Sequence, residues 1–399
     1  MEVVTIGTPQ LGDRSYLVHD GAVALVVDPQ RDIDRVHAAA RQAGVRITHI
    51  VETHVHNDYV TGGVQLARES GASYLVNGAD DVAFDREPVA DGDEIDVGSL
   101  RVRVVATPGH THNHVSYLVS SGDEQAVFSG GSLLYGSVGR TDLVDPGDTD
   151  ELTRAQYSSV RRLATAASDR AVLYPTHGFG SFCSSGPATV VDSATIGDQR
   201  RDNHALTDDE DHFVDTLMAG LSAYPGYYAH MGELNRKGAH AVGLSPPEPL
   251  DTGELRSRLR DGQWVVDLRN RVVFADDHLK GAVSFEYGDG TSFTTFLGWI
   301  LPWGTPSRWW AAATRSKRRC ATWSASASTS RASRSGTDRS SSSKATPRSP
   351  THVPGGRSCS RSSEPIASRW CSTYAATTST RQPTSTERCT CPCTACSSG

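Results

Sequence analysis

The sequence predicts an α/β fold, and three observations carry that expectation. Short β-branched runs alternate with segments of helical periodicity through about residue 200. The histidines best placed for chemistry follow directly on strand-like runs. A chain of 399 residues with 37% hydrophobic residues and 37 glycines suits a globular α/β protein of two or three domains.

Taken in order, residues 15–28, "SYLVHDGAVALVVD", read as two apolar strands joined by a His-Asp-Gly turn, the second ended by Asp28-Pro29. "DIDRVHAAARQAG" has apolar residues at helical spacing and a terminal glycine, and "RITHIVETH" returns to β character. The alternation continues through "SYLVNG", "SLRVRVVATPGHTHNHVSYLV" and "QAVFSG". A helix from about Asp150 to Ala166, capped by Asp148 or Thr149, then leads into "AVLYPTHG".

His54 and His56 follow "HIVET", His110 follows "VVATPG", and His177 follows "VLYPT". In extended backbone, residues two apart point the same way, so His54 and His56 are expected to converge on one ion, with His110 as the third nitrogen. Three neutral imidazoles make an open facial site for one Fe²⁺ or Zn²⁺. A lone H-x-H is weak evidence, and all these segments in this order are much stronger.

The series "THVHNDY", "TPGHT", "FSGGSLLYGSVGRTDL" and "PTHG" resembles the metallo-β-lactamase superfamily, in its branch of glyoxalase II-like hydrolases and persulfide dioxygenases. The resemblance covers about residues 1–200 and implies a four-layer αββα sandwich with the metal at one edge. "GRTDL", Gly139 to Leu143, is similar to the persulfide dioxygenases in particular. Two departures matter. The superfamily pattern H-x-H-x-D-H would put histidine where Tyr59 stands, and Gly131 replaces an aspartate. Only Asp58 and His177 then remain for a second ion, so a binuclear centre is not expected. The aspartate missing at Gly131 is also the carboxylate that holds iron in the persulfide dioxygenases. Three readings stay open, in this order: a three-histidine site, a site in which Asp58 substitutes, and an impaired site.

Other residues are weighed the same way. Tyr59 either donates a phenolic proton to substrate or packs where the histidine is lost. Arg140 either meets a substrate carboxylate or pairs with Asp142 across a turn. His112 and His114 read as pocket-wall or solvated side chains, Cys183 as a small packing residue, and His19 and His49 as ordinary strand or turn residues.

Beyond the metal-binding domain (1–197) and a connector (198–248), residues 249–306 are similar to the start of a rhodanese domain. Asp267 and Arg269 form its D-x-R, and "DHLKGA" stands for its next landmark. The cysteine loop that such a domain needs as nucleophile is missing before Ser307, so no sulfurtransferase activity is expected. The segment 307–399 is serine- and arginine-rich without apolar periodicity, and reads as a disordered tail. Back-translation in G/C-rich codons with a one-base shift turns "SRWWAAATRS" into LALVGGGDPE, so a frameshift near Pro306 is expected. The cysteines from Cys389 to Cys396 are then no zinc site.

Residues 1–306 carry 24 basic and 43 acidic residues, a formal charge of −19, which argues against nucleic acid as substrate. Only Cys183 of the eight cysteines precedes Ser307, which fits a reducing, cytoplasmic compartment. No signal-like or membrane-spanning run is apparent, so no membrane association is expected.

The expected partner is a small thiol, persulfide or thioester of glutathione type. The first expectation is a persulfide dioxygenase-like enzyme that converts such a persulfide and O₂ to sulfite. The second is a hydroxyacylglutathione hydrolase-like thioesterase, in which an ion acidifies water to a pKa near ~7. The third is a non-catalytic thiol-binding or sulfur-relay scaffold.

Overall fold

The computed structural model describes residues 1–186, 191, 193–243, 251–288, 293–304 and 307–310. Two six-stranded sheets form its centre. The first has the order β1 (Glu2–Thr8), β2 (Asp13–His19), β3 (Val23–Val27), β4 (Arg46–Val51), β5 (Ser73–Asn77) and β6 (Glu87–Val89). The second runs β12 (Ala194–Thr195), β11 (Val172–Pro175), β10 (Glu124–Gly130), β9 (Val115–Ser121), β8 (Leu100–Ala106) and β7 (Glu94–Val97).

Period-two alternation explains how the layers stack. On β2 and β3, Tyr16, Val18, Leu25 and Val27 face Val102, Val104, Tyr117 and Phe128 of the other sheet in a shared inner core. Their neighbours Leu17, Ala24 and Val26 point outward, under helices α1 (Asp34–Ala43) and α2 (Gly63–Ser70). Both faces of this sheet are buried, which is why its strands read as continuous apolar runs. On the far side, Val127 and Leu173 pack beneath α3 (Thr149–Ala166), α4 (Ile196–Asp202), α5 (His204–Thr207) and α6 (Glu210–Gly220). The result is helix, sheet, sheet, helix. As expected from its glycine, α1 ends with Gly44 in the left-handed region, closed by backbone bonds to Ala40 and Arg41. The expected cap of α3 differs. Asp148 makes no capping bond and pairs with the exposed His112 at 2.9 Å instead.

Helix α7 (Tyr228–Lys237) lies against the 56–61 loop. Further on, α8 (Thr252–Arg260) is capped by Asp251, which accepts from the Glu254 amide. A small parallel sheet follows, in the order β14 (Val283–Ser284), β13 (Trp264–Asp267), β15 (Ser307–Trp310), with α9 (Arg271–Asp276) in its first crossover. Asp267 is fully buried and holds Arg269 in a bidentate pair.

Ser307–Trp310 pair with β13 in parallel register and belong to the sheet, because a strand this short gains its stability from a partner's ladder. Residues 311–399, with the expected disordered tail and the Cys389–Cys396 cluster, lie outside the described residues. Helix α10 (Phe293–Ile300) joins the two bodies. Its Leu297 packs under β13, the Thr295 hydroxyl donates to the Gln10 carbonyl at 2.8 Å, and Trp299 meets Phe182 edge-on. Among the described residues no helix is long and apolar enough to cross a membrane.

Candidate metal centre

Strands β3, β4, β8, β10 and β11 end at one edge of the sandwich, and the loops leaving them carry the polar residues. His54, His56, Asp58, His110 and His177 are all buried there. The structure brings His54, His110 and His177 into one set, with one ligand atom from each within 4.8 Å of the others.

Their proton positions follow from their partners. The Thr53 hydroxyl donates to Asp28, so its oxygen accepts from His54 Nδ1 at 2.9 Å. His110 Nδ1 donates to the Arg140 carbonyl at 2.6 Å, and His177 Nδ1 to the Asp13 carboxylate at 2.9 Å. Each Nδ1 thus holds the proton and each Nε2 keeps its lone pair. The His54 and His177 Nε2 atoms stand 3.4 Å apart, close to the edge of roughly 3.3 Å that a tetrahedral ion with ~2.0 Å bonds to nitrogen sets between ligands. His110 Nε2 is buried without a hydrogen-bond partner. Burial first, and then the neighbouring imidazoles, push His54 and His110 well below the usual histidine range, so both are neutral ligands. Two close, unprotonated nitrogens and a buried lone pair without a donor fit a divalent cation of the Zn²⁺ or Fe²⁺ kind.

His56 does not join His54 and His110 in this set. The expected convergence of alternate residues needs extended backbone, and the chain leaves the strand after Val51. His56 Nε2 lies 3.3 Å from both Asp28 Oδ1 and Glu52 Oε2, and 2.9 Å from the Tyr59 hydroxyl. Burial alone would lower its pKa, but Asp28 and Glu52 outweigh burial and carry it up to about 10. His56 also forms a set with Asp58 and His177, and another with Asp28 and Glu52. Asp58 sits 3.3 Å from His177 Nδ1, and burial raises its carboxyl and that of Asp13 above the usual range.

Tyr59 is fully buried, stacked on His56, with its hydroxyl between His56 and the Asp28 carbonyl. It packs in this arrangement and faces no open space. Arg140 is likewise engaged, contrary to a role in meeting substrate. Its Nε and Nη2 grip Asp142 at 2.7 and 2.8 Å, and its remaining donors reach the Phe182 and Ser222 carbonyls. Arg140→Met is therefore expected to lower stability by about 3 kcal/mol in urea denaturation, since it strands these acceptors and a mostly buried charge. Cys183 is buried among Val60, Tyr227, Tyr228 and Met231, as a packing residue should be. His114 is buried, its Nε2 taking the Gly131 amide at 3.1 Å and its ring stacked on His54.

Four contributors escaped the sequence reading. Asp13 orients His177, and Glu52 faces His56. Asp28 accepts from the Thr53 amide and hydroxyl and from Thr176, at a backbone φ of 50° that only glycine adopts freely. Asn235 holds the 56–61 loop from α7. Only Asp28 left a trace in sequence, as the residue before Pro29.

Residues 11–177 match the family model of the metallo-beta-lactamase superfamily. That segment is similar to metallo-beta-lactamase superfamily proteins. A hydroxyacylglutathione hydrolase of Acidiphilium cryptum is 40% identical over 113 residues, 28% of this chain and 46% of the relative. Persulfide dioxygenase ETHE1, mitochondrial, of Bos taurus is 28% identical over 213 residues, 52% of this chain and 74% of that protein. The chain spans about half the length of the Acidiphilium cryptum enzyme and of two other hydroxyacylglutathione hydrolases that it matches. A metallo-beta-lactamase structure from Staphylococcus aureus superposes with a TM-score of 0.72 at 23% identity, covering 82% of this chain and 98% of the other. It shares the fold. The matched segment thus carries a His/Asp cluster suited to metal at the edge where its strands end.

Proposed function

We propose that the chain is a mononuclear metal-dependent enzyme of thiol and sulfur metabolism, of persulfide dioxygenase type. It converts a glutathione-type persulfide, O₂ and water to sulfite and the free thiol. The convergence of the His54, His110 and His177 lone pairs carries this reading. A second ion beside the first, in the His56, Asp58 and His177 set, would have to share His177 and would lack the nitrogen that Tyr59 replaces, which supports one metal, Fe²⁺, held by His54, His110 and His177. Such an ion supplies Lewis acidity and free positions for a sulfur substrate and O₂. The protein's own groups keep the imidazoles neutral and oriented: Thr53 at His54, the Arg140 carbonyl at His110, Asp13 at His177. The longer match to ETHE1, which exceeds the 11–177 segment, also supports this reading. Residues 249–310 we read as a partial rhodanese-like domain without sulfurtransferase activity, its strand β13 ending in the Asp267–Arg269 pair and its sequence holding no cysteine.

A thioesterase acting on hydroxyacylglutathione is the second reading, favoured by the higher identity, 40%, to a hydrolase of that name. Metal analysis with two assays separates them. The purified chain is expected to hold about one iron and to consume O₂ in the presence of glutathione persulfide, with sulfite formed. One zinc with thioester cleavage and no oxygen uptake would overturn the dioxygenase reading. A chain that binds no metal and turns over neither substrate would leave the scaffold reading standing.

A further inference from the structure

The loop from His56 to Thr61 lies between β4 and α2, buried and outside any ladder, so its backbone polar groups need partners from elsewhere. One side chain supplies three of them. Asn235 Nδ2 donates to the His56 carbonyl at 2.7 Å and to the Tyr59 carbonyl at 2.8 Å, while its Oδ1 accepts from the Thr61 amide at 2.9 Å. Asn235 is itself buried, and it sits on α7, beyond the matched superfamily segment. The helix is stitched to the domain around this contact. The Ala83 amide donates to the Arg236 carbonyl, the Val242 amide to Gln65, and Arg31 to the His240 carbonyl. At Gly232 an added Cβ would stand 2.7 Å from Asn57 Oδ1, so a small residue lets α7 come this close.

We infer that Asn235 is a positioning residue of the metal centre, pinning the loop on both sides of Asp58. Asp58 rests against His177, and the His56 ring packs 4.0 Å from that of His54, so a shift of the loop displaces two members of the three-nitrogen set. The inference rests on the reading that this centre binds an ion.

The test is cobalt(II) titration of the full-length, metal-free chain against a competing chelator, followed by the visible absorption band and set beside the melting temperature without metal. Asn235→Ala is expected to weaken cobalt binding about 10-fold and to alter the band, the low end of what direct outer partners of metal ligands are worth, since Asn235 acts through the loop. Asn235→Asp keeps the volume and the Thr61 acceptor but offers no donor to the two carbonyls, and is expected to lose at least as much. Gln65→Ala cuts the same seam away from the loop and should leave affinity unchanged. Variants that melt lower yet bind cobalt as tightly as wild type, with the same band, would overturn the inference and leave the metal reading intact. Wild-type chain that takes up no cobalt would sink both.

Discussion

His177→Ala is expected to lose its metal, while His56→Gln keeps it. In the His177 variant the set falls to two nitrogens, and the Asp13 carboxylate that faced His177 Nδ1 is left buried beside Asp58. Metal affinity should fall by more than about 100-fold, since outer partners alone are typically worth about 10- to 100-fold. Turnover should fall with it. His56→Gln is expected to do the opposite. It removes the group lying 3.3 Å from both Asp28 and Glu52, leaving two buried carboxylates without their counter-charge. Breaking a buried pair in this way typically costs about 3–5 kcal/mol, so the variant should unfold at lower urea but bind close to one ion while folded. Metal content and urea midpoints measured on both proteins check the pair. If the ion sat among His54, His56 and His110, as the H-x-H spacing implies, the His56 variant would be the one to lose it.

That contrast shows where sequence reasoning ran out. The sandwich was legible because its cause is local: alternation on β2, β3 and β10 sends successive side chains to opposite layers, and the glycine at 44 ends α1. The metal edge was legible too, since His54, His110 and His177 each follow a strand end. Which nitrogens converge was not. The rule that alternate residues share a face fails where the chain bends out of β4, and His56 then follows the charge of Asp28 and Glu52. Those acids come from different strand ends, and nothing local distinguishes a buried carboxylate from a solvated one. Asn235 was still less visible. It is one asparagine in a connector, and its role depends on a contact with a loop that precedes it by almost the whole domain.

Gly131→Asp is expected to weaken the centre, although it places a carboxylate where the resemblance to the persulfide dioxygenases puts one. A Cβ at Gly131 would lie 2.2 Å from His110 Cδ2 and 2.6 Å from Nε2, so the ring already fills the space that the carboxylate needs. Nor can the ring retreat easily. A Cβ at Gly139 would stand 2.7 Å from His110 Nδ1, which shows how closely that backbone lines the other side. The Arg140 carbonyl holds Nδ1, and Gln156 holds the His110 amide at 2.9 Å. His110 is therefore clamped between two glycines, and glycine at 131 is a packing requirement of the three-nitrogen set. Overpacking of this kind typically costs about 1–3 kcal/mol, and Gly131→Ala should show that loss with no new charge added. The aspartate variant adds a ligand but displaces one, and it brings a charge into a buried edge. Cobalt affinity and thermal stability of wild type, Gly131→Ala and Gly131→Asp decide the matter. Both variants should fall below wild type in each measurement. Tighter binding by Gly131→Asp would mean that the edge relaxes around a carboxylate and that the glycine marks a lost ligand, which is what the scaffold reading requires.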